Sequence, residues 1–205
     1  LRGEVSIGSG ELEGMHVLAG FLASFQKLHP QVTYQIYSGN ADEIKDQIER
    51  GTLDLGLLLE PVDISKYDMI RLPAKEQWGV LVEKNSPLAQ KDSITAQDLS
   101  KLPLIYTKRG LVQKELERWF GPYTKDLQIT ATGNLPYNMA LMSRAGMGAF
   151  LTIRLRCSYE GLHFLPLSPS LESSTVLAWK KTETFPPVVS ALLEYIKECL
   201  AAISD

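Results

Sequence analysis

The residues of this sequence that could bind a ligand lie in short polar turns that follow predicted strands. The first turn contains Ser9 and Gly10, and it follows a segment in which Val5 and Ile7 alternate with polar residues, as in a β-strand. Apolar residues at helical spacing follow over residues 12–25. In an open α/β sheet such a turn lies at the carboxyl edge, where ligands bind, and the first N–H groups of the helix are available donors. The sequence therefore predicts a binding turn here.

A dinucleotide-binding fingerprint is one alternative for this turn, because Gly8, Gly10 and Gly14 follow a strand. The spacing G-x-G-x-x-x-G is one residue longer than the fingerprint, and no acidic residue ends a second strand about 20 residues on. The spacing therefore argues against NAD binding. A turn that binds no ligand is the other alternative.

Motifs of enzyme chemistry are missing from the sequence. It contains neither the G-x-S-x-G of a nucleophile elbow nor the G-K-[ST] of a phosphate-binding loop. His16, His29 and His163 are too scattered for a metal site, and H-E-x-x-H does not occur. We therefore expect no enzyme activity, no cofactor and no metal.

The composition indicates a globular protein without a nucleic-acid surface of its own. The chain has 205 residues, 44% of them hydrophobic and 22% charged, and its net charge of -3 gives no basic footprint for nucleic acid. No apolar run approaches the ~20 residues of a membrane span, and no signal-peptide pattern opens the chain. Cys157 and Cys199 favour a reducing compartment or simple filling of the core, with a redox switch as the alternative. We expect a cytoplasmic protein.

The order of the predicted elements is that of an α/β fold. The first 59 residues predict strand, helix, strand, helix, strand, with Asn40 and Glu43 as a capping pair for the second helix. Thr95 and Asp98 form a second capping box. Further strands are predicted at 70–73, 78–82, 104–106, 128–131, 149–151, 162–167 and 175–179, and further helices after 95, after 110, at 137–145 and at 188–203.

The first helix has two apolar stripes, where a surface helix normally needs one. Met15, Leu18, Leu22 and Phe25 form the first stripe, and Val17, Phe21 and Leu28 form the second. A second copy of the chain is one candidate to cover the second stripe, since dimer interfaces resemble a core cut in half. Another part of the same chain is the alternative.

Six short segments carry a family resemblance over essentially the whole chain. They are G-E-V-S-I-G at 3–8, F-x-x-x-H-P-Q-V-T at 25–33, I-x-x-G-T-L-D-L-G-L at 48–57, S-P-L at 86–88, D-L-x-x-L-P-L-I at 98–105 and M-x-x-A-G-M-G-A at 142–149. In this order and spacing they resemble the effector-binding regulatory domain of LysR-type transcriptional regulators. Each segment alone is weak, and the series is more specific.

The resemblance implies a fold like that of type-2 periplasmic binding proteins. Two Rossmann-like α/β lobes would be joined by two crossover strands, with a ligand cleft between the lobes. Lobe one would be 1–73 plus 168–205, and lobe two 74–167. The family also has an N-terminal winged helix-turn-helix and a linker helix, which do not occur in this sequence. The family often has a proline soon after the glycines near 146–148, where Thr152 stands here, so the shape of one cleft wall stays open.

The resemblance also implies which turns hold the effector. It places five residues at or near effector contacts: Ser9, Gly10, Asn40, Thr107 and Asn134. Their hydroxyls, amides and helix starts suit a small polar ligand. A helix cap is the alternative role for Asn40, and turn-forming hydrogen bonds are the alternative for Thr107 and Asn134.

Charges near two of these turns suggest an effector that carries both signs. Glu11 and Glu13 are expected in the first turn of the first helix, and Lys108 and Arg109 on the other lobe. An amino acid or amino-sugar-like metabolite would fit, with its anionic end toward lobe two. The alternative is that the two glutamates face solvent and only support the helix.

The sequence thus predicts a sensing domain of a bacterial regulator that acts on DNA only through a domain absent from this chain. The family's antiparallel dimer or tetramer contact would use Val17, Phe21 and Leu28 of the first helix and Leu141 of the helix at 137–145. A stand-alone solute-binding protein of a transporter is the alternative. It would need an export signal and would normally work as a monomer.

Overall fold

Strands and helices alternate along the chain, which confirms the predicted α/β class. The computed structural model describes residues 1–63, 65–107, 110–181 and 184–204. The chain forms two compact units, one of Leu1–Ala74 with Ser174–Asp205 and the other of Lys75–Ser173.

The first unit contains a mostly parallel sheet. Its elements are β1 (Arg2–Ser9), α1 (Gly14–Leu28), β2 (Gln31–Ser38), α2 (Ala41–Glu49), β3 (Leu55–Leu59), β9 (Glu172–Lys180) and α6 (Pro187–Ser204). β1 pairs in parallel with both β2 and β3, and β9 pairs antiparallel with β3. β2 therefore forms the edge. Because Ser9 is in register with Ser38 and with Leu57, the carboxyl ends of three strands meet at one place.

Local sequence signals explain the second helix and strand of this unit. Asn40 and Glu43 form the predicted capping box at the start of α2. After the helix, Gly51 adopts a positive φ of 71°, which glycine tolerates and which ends the helix. β3 follows and is buried at all five positions, as the apolar run from Leu53 predicts.

The second unit contains a sheet of the same kind. Its elements are β4 (Tyr67–Glu83), α3 (Ala96–Leu99), β5 (Pro103–Tyr106), α4 (Gly110–Phe120), β6 (Gln128–Thr132), α5 (Pro136–Arg144), β7 (Ala149–Ile153) and β8 (Leu162–Pro166). β5 pairs in parallel with β6 and β7, whereas β4 pairs antiparallel with β7 and β8. β6 is the edge strand at one end of the order.

β4 differs from the two separate strands that the sequence predicts at 70–73 and 78–82. It is one strand of 17 residues that contains Pro73 and passes from the first unit into the second between Ala74 and Lys75. A proline removes one N–H donor, so it is tolerated in a strand where that N–H would face outward. The sequence signal of a break was therefore misleading here. The chain returns to the first unit through β9, between Ser173 and Ser174.

Two further findings concern the apolarity of the helices and the exposure of the cysteines. Among the described helices, none combines the length and the apolarity that crossing a bilayer requires. Cys157 is exposed and Cys199 is half-buried, and both are free thiols. Core filling is therefore wrong for Cys157.

Candidate functional site

The turns after β1 and β2 meet at the carboxyl edge of the first unit. Ser9 is 3% exposed, and its hydroxyl donates to the carbonyl of Gly10. The N–H of Gly39 donates to the carbonyl of Ser9 at 3.1 Å. A Cβ atom on Gly39 would lie 2.8 Å from the Glu43 carboxylate, so a side chain at this position would have to displace the side chain of Glu43. The structure thus brings Ser9, Gly10 and Asn40 together.

The turns after β5 and β6 are joined in the same way in the second unit. The N–H of Gly133 donates to the carbonyl of Tyr106 at 3.3 Å, and Tyr106 is in register with Thr132. Thr107 and Asn134, the next residue of each turn, are therefore neighbours at one sheet edge. The register of parallel strands produces this pairing, and no local sequence signal indicates it.

Asn40 acts as a helix cap. Its side-chain oxygen accepts the N–H of Glu43 at 2.9 Å, and the Glu43 carboxylate accepts the N–H of Asn40 at 3.0 Å. These bonds satisfy the first donors of α2. The capping role is confirmed, and a role in ligand binding stays a prediction for this residue.

Thr107 and Asn134 behave differently from Asn40. Thr107 is 4% exposed, and its hydroxyl forms no hydrogen bond within the part of the chain that the structure describes. Asn134 is exposed, and within that same part its amide forms none either. Leu135, rather than Asn134, is the capping residue of α5. The turn-forming hydrogen bonds that the sequence allows for these two side chains are therefore not present among the described residues.

The predicted position of two charged residues near the turns is wrong. α1 begins at Gly14, so Glu11 and Glu13 do not lie in its first turn as predicted. Glu13 is the residue immediately before the helix, and the N–H groups of Met15 and His16 donate to the carbonyls of Leu12 and Glu13 in a turn that precedes the regular helix. Glu11 is exposed in the connection between β1 and α1. Lys108 and Arg109 lie outside the described residues.

These two edges present hydrogen-bonding groups of the kind that a small polar ligand can use. Each edge offers hydroxyls, amides and backbone groups around the end of a buried strand, the arrangement that orients a small polar ligand. Among the described residues, no three His, Cys, Asp or Glu side chains form a group that could hold a metal ion.

The predicted interface residues of α1 lie on a surface that also includes the edge strand β2. Val17 and Phe21 are half-buried, and Leu28 is 62% exposed. The Tyr34 hydroxyl of β2 donates to the carbonyl of Leu22 at 3.0 Å, which fixes α1 against that strand. Alternate residues of a strand share a face, so Ile36, which is 43% exposed, lies on the same side. We name this surface the α1/β2 surface (Val17, Phe21, Leu28 and Ile36).

An exposed apolar surface also occurs on the second unit. Leu141 of α5 is 44% exposed and Tyr137 is 60% exposed. Ile129 of the edge strand β6 is 44% exposed. Ile36 and Ile129 were missed from sequence because their exposure follows from edge positions, which depend on the order of strands in the sheets.

Comparison with known proteins identifies the family. A family model described as the LysR substrate binding domain matches residues 1–201. The Hca operon transcriptional activator HcaR of Escherichia coli (strain K12) is 24% identical over 210 residues, which are 98% of this chain and 69% of that protein. The uncharacterized HTH-type transcriptional regulator YvbU of Bacillus subtilis (strain 168) is 24% identical over 108 residues, 53% of this chain and 36% of that protein. The chain thus spans only part of the length of these curated relatives.

Solved structures show the same fold. The effector-binding domain of QuiR in complex with shikimate has a TM-score of 0.84 at 19% sequence identity, with 95% of both chains covered. At this identity the similarity establishes the fold alone.

Proposed function

This chain belongs to the LysR substrate-binding domain family, and we propose that it senses a small polar metabolite for a bacterial transcriptional regulator. One observation carries the proposal. In each unit the turns after two neighbouring parallel strands are joined at the carboxyl edge, through Gly39 and Ser9 in one and Gly133 and Tyr106 in the other. Joined turns at strand ends are the usual place for a small ligand in α/β folds.

The two units would be the two regulatory subdomains of such a regulator, with the bounds Leu1–Ala74 plus Ser174–Asp205 and Lys75–Ser173. A metabolite held by the turns of both subdomains would favour one arrangement of the regulator. It can shift the equilibrium between two arrangements of the regulator only by the difference between its affinities for them. A domain outside this chain would bind DNA, which agrees with the net charge of -3.

The buried hydroxyls support a polar effector. Ser9 and Thr107 are 3% and 4% exposed, and each stands at the end of a buried strand. The Ser9 hydroxyl already donates to the carbonyl of Gly10, whereas the Thr107 hydroxyl forms no hydrogen bond among the described residues and can form one with a polar group of a ligand. The related QuiR domain holds shikimate, which supports a small metabolite as the class of ligand.

The charges extend the proposal to an effector with both signs. Glu11 is exposed before α1 and would attract an ammonium group. Lys108 follows Thr107 and would attract a carboxylate. Amino acids and amino-sugar-like metabolites have this pattern.

Melting of the purified domain with a panel of compounds tests the proposal. The panel contains amino acids, amino sugars and simple dicarboxylates such as succinate, each at a saturating concentration. A ligand at a hundred times its Kd stabilises the native state by about 2.7 kcal/mol, which is a readily measured shift in Tm.

The outcomes are distinct. Stabilisation by a zwitterion, lost in the Lys108→Ala and Glu11→Gln variants, supports both the site and its charges. Stabilisation by dicarboxylates alone contradicts the two-sign effector. If a crystal structure showed a stabilising compound bound away from Ser9 and Thr107, the proposed site would be wrong.

We also propose that two copies of the chain form the predicted dimer contact. The α1/β2 surface and Leu141 of α5 would form an antiparallel contact between two copies, in a dimer or a tetramer. The exposure of Leu28, Ile36 and Leu141 in the single chain supports this, since exposed apolar patches are typical of interaction surfaces.

A further inference from the structure

The chain leaves β8 through residues 167–173, the last two of which already lie in β9, and we name these residues the return segment. Its first residues are hydrogen-bonded to the second unit. The N–H of Leu167 donates to the carbonyl of Trp78 at 3.1 Å, and the N–H of Ser168 donates to the carbonyl of Ile94 at 2.8 Å.

The end of the return segment is held by the same unit. The N–H of Trp78 donates to the carbonyl of Leu171 at 2.9 Å, and its indole N–H donates to the Ser173 hydroxyl at 3.0 Å. At the next residue the partner changes, because the carbonyl of Ser174 accepts the N–H of Glu60 in the first unit at 2.9 Å. The return segment therefore belongs to the second unit up to its last residue.

A second tryptophan holds the middle of the return segment. The indole N–H of Trp119 donates to the carbonyl of Pro169 at 2.7 Å. Trp119 lies near the carboxyl end of α4, and its neighbours Leu116 and Phe120 are both 2% exposed, which fixes the helix in the core. The Trp119 ring is half-buried and stands edge-on to the Phe120 ring, with 5.0 Å between centroids. Its direction toward Pro169 is thus set by the packing of α4.

The amino end of α4 lies three residues after Thr107. A helix of this length spans about 16 Å. α4 therefore has the turn of Thr107 at one end and the return segment at the other. The return segment ends within β9, one of the two strands by which the chain passes between the units.

We propose that Trp119 is a positioning residue that couples the turn of Thr107 to the return segment through α4. The hydrogen bond from its indole to the carbonyl of Pro169 joins α4 to the return segment. A ligand at the Thr107 turn would then act on the return segment without touching it. This extension rests on the proposed sensing function, whereas the coupling itself can be measured on the protein without ligand.

Hydrogen exchange followed by mass spectrometry tests the coupling in the Trp119→Phe variant, which keeps an aromatic ring and removes the N–H. A hydrogen bond of this kind contributes about 1 kcal/mol, which corresponds to about a fivefold change in exchange rate. We expect rises of this size in two peptides, one covering the return segment and one covering residues 110–115 of α4. The matched control is Trp179→Phe, because Trp179 lies in β9 of the first unit beside Lys197.

Each result bears on the coupling. A rise in both peptides of Trp119→Phe, with none in either peptide of Trp179→Phe, supports it. A rise in the return segment alone means that α4 does not transmit the change, and this overturns the proposal. A uniform rise over both units would show that Trp119 only stabilises the core, and this also overturns it. If no compound of the melting panel raised the Tm, this would contradict the sensing function and leave the exchange result unaffected.

Discussion

At the residue scale, the hydroxyl of Thr107 is the group on which effector binding depends most directly. It is 4% exposed and makes no hydrogen bond within the described residues. Thr107→Val keeps the shape and removes the hydroxyl, so we expect an almost unchanged Tm without ligand. With a stabilising compound from the melting panel, the loss of one hydrogen bond should raise its Kd about fivefold.

The matched control for this prediction is Thr107→Ser, which keeps the hydroxyl and should bind the compound nearly as well as the native domain. Isothermal titration calorimetry measures both values of Kd. Equal binding by the Val and Ser variants would remove Thr107 from the site.

Glu49 is the residue at which pH dependence can be worked out. The hydrogen bond from Tyr67, and then the nearby Lys180 ammonium, hold the pKa of this carboxyl below its ordinary value of 4.5. Lys180 lies 3.4 Å from the carboxylate. A lowered folded-state pKa contributes stability above the unfolded pKa, and this contribution is lost as pH falls through the folded value.

We therefore expect Glu49→Gln to reduce the free energy of unfolding at about pH 7 and to matter progressively less below about pH 4.5. Glutamine can still accept the Tyr67 hydrogen bond, so the variant tests the charge alone. Urea unfolding of both proteins across this range measures the difference. A difference that does not change with pH would contradict the assignment to Glu49.

At the element scale, α2 shows how a cap and a ligand role can be separated. Asn40→Ala removes the side-chain acceptor for the N–H of Glu43, and the loss of such a cap costs about 1 kcal/mol in the free energy of unfolding. Asn40→Asp keeps an acceptor and replaces the amide by a carboxylate. We expect near-native stability for the Asp variant and a lower Tm for the Ala variant.

Effector binding by the Asp variant then decides whether Asn40 also contacts the ligand. Weaker binding at native stability supports a ligand contact by the Asn40 amide, whereas native binding leaves Asn40 as a cap only. Thr95→Ala removes the equivalent cap of α3 and should lower stability without changing affinity.

The elements also show where sequence reasoning succeeded and where it failed. The capping boxes at Asn40 and Thr95 are local patterns, because donor and acceptor are three residues apart, and both are confirmed. The start of α1 at Gly14 differs from the prediction, since Glu13 before it makes no side-chain cap and the sequence has no capping box at this position to mark the boundary. β4 was divided at Pro73 because its pairing partners, which decide whether a proline is tolerated, are not visible in the sequence.

At the scale of the whole molecule, self-association is the property to test. The Leu28 side chain is 62% exposed on the α1/β2 surface, so Leu28→Asp should leave the single chain folded. A charge there would have to be desolvated in a dimer, and we expect a shift from dimer toward monomer. Phe21→Asp should act in the same direction, with some loss of stability because Phe21 is half-buried.

Sedimentation velocity in the analytical ultracentrifuge measures this shift. Ile203→Asp is the matched control, since Ile203 is 66% exposed on α6, outside the proposed interface. An unchanged mass for Leu28→Asp, or an equal change for Ile203→Asp, would exclude the α1/β2 surface as the contact.

The sequence by itself determined the α/β class, the order of nearly all elements, the capping boxes at Asn40 and Thr95 and, through the series of motifs, the family. These properties depend on periodicity and on residues a few positions apart. Only the tertiary structure decided that Gly39 meets Ser9, that Gly133 meets Tyr106, and that β2 and β6 lie at edges. The physical reason is that strand order and register are set by burial over the whole sheet, so contacts between distant turns have no local signal.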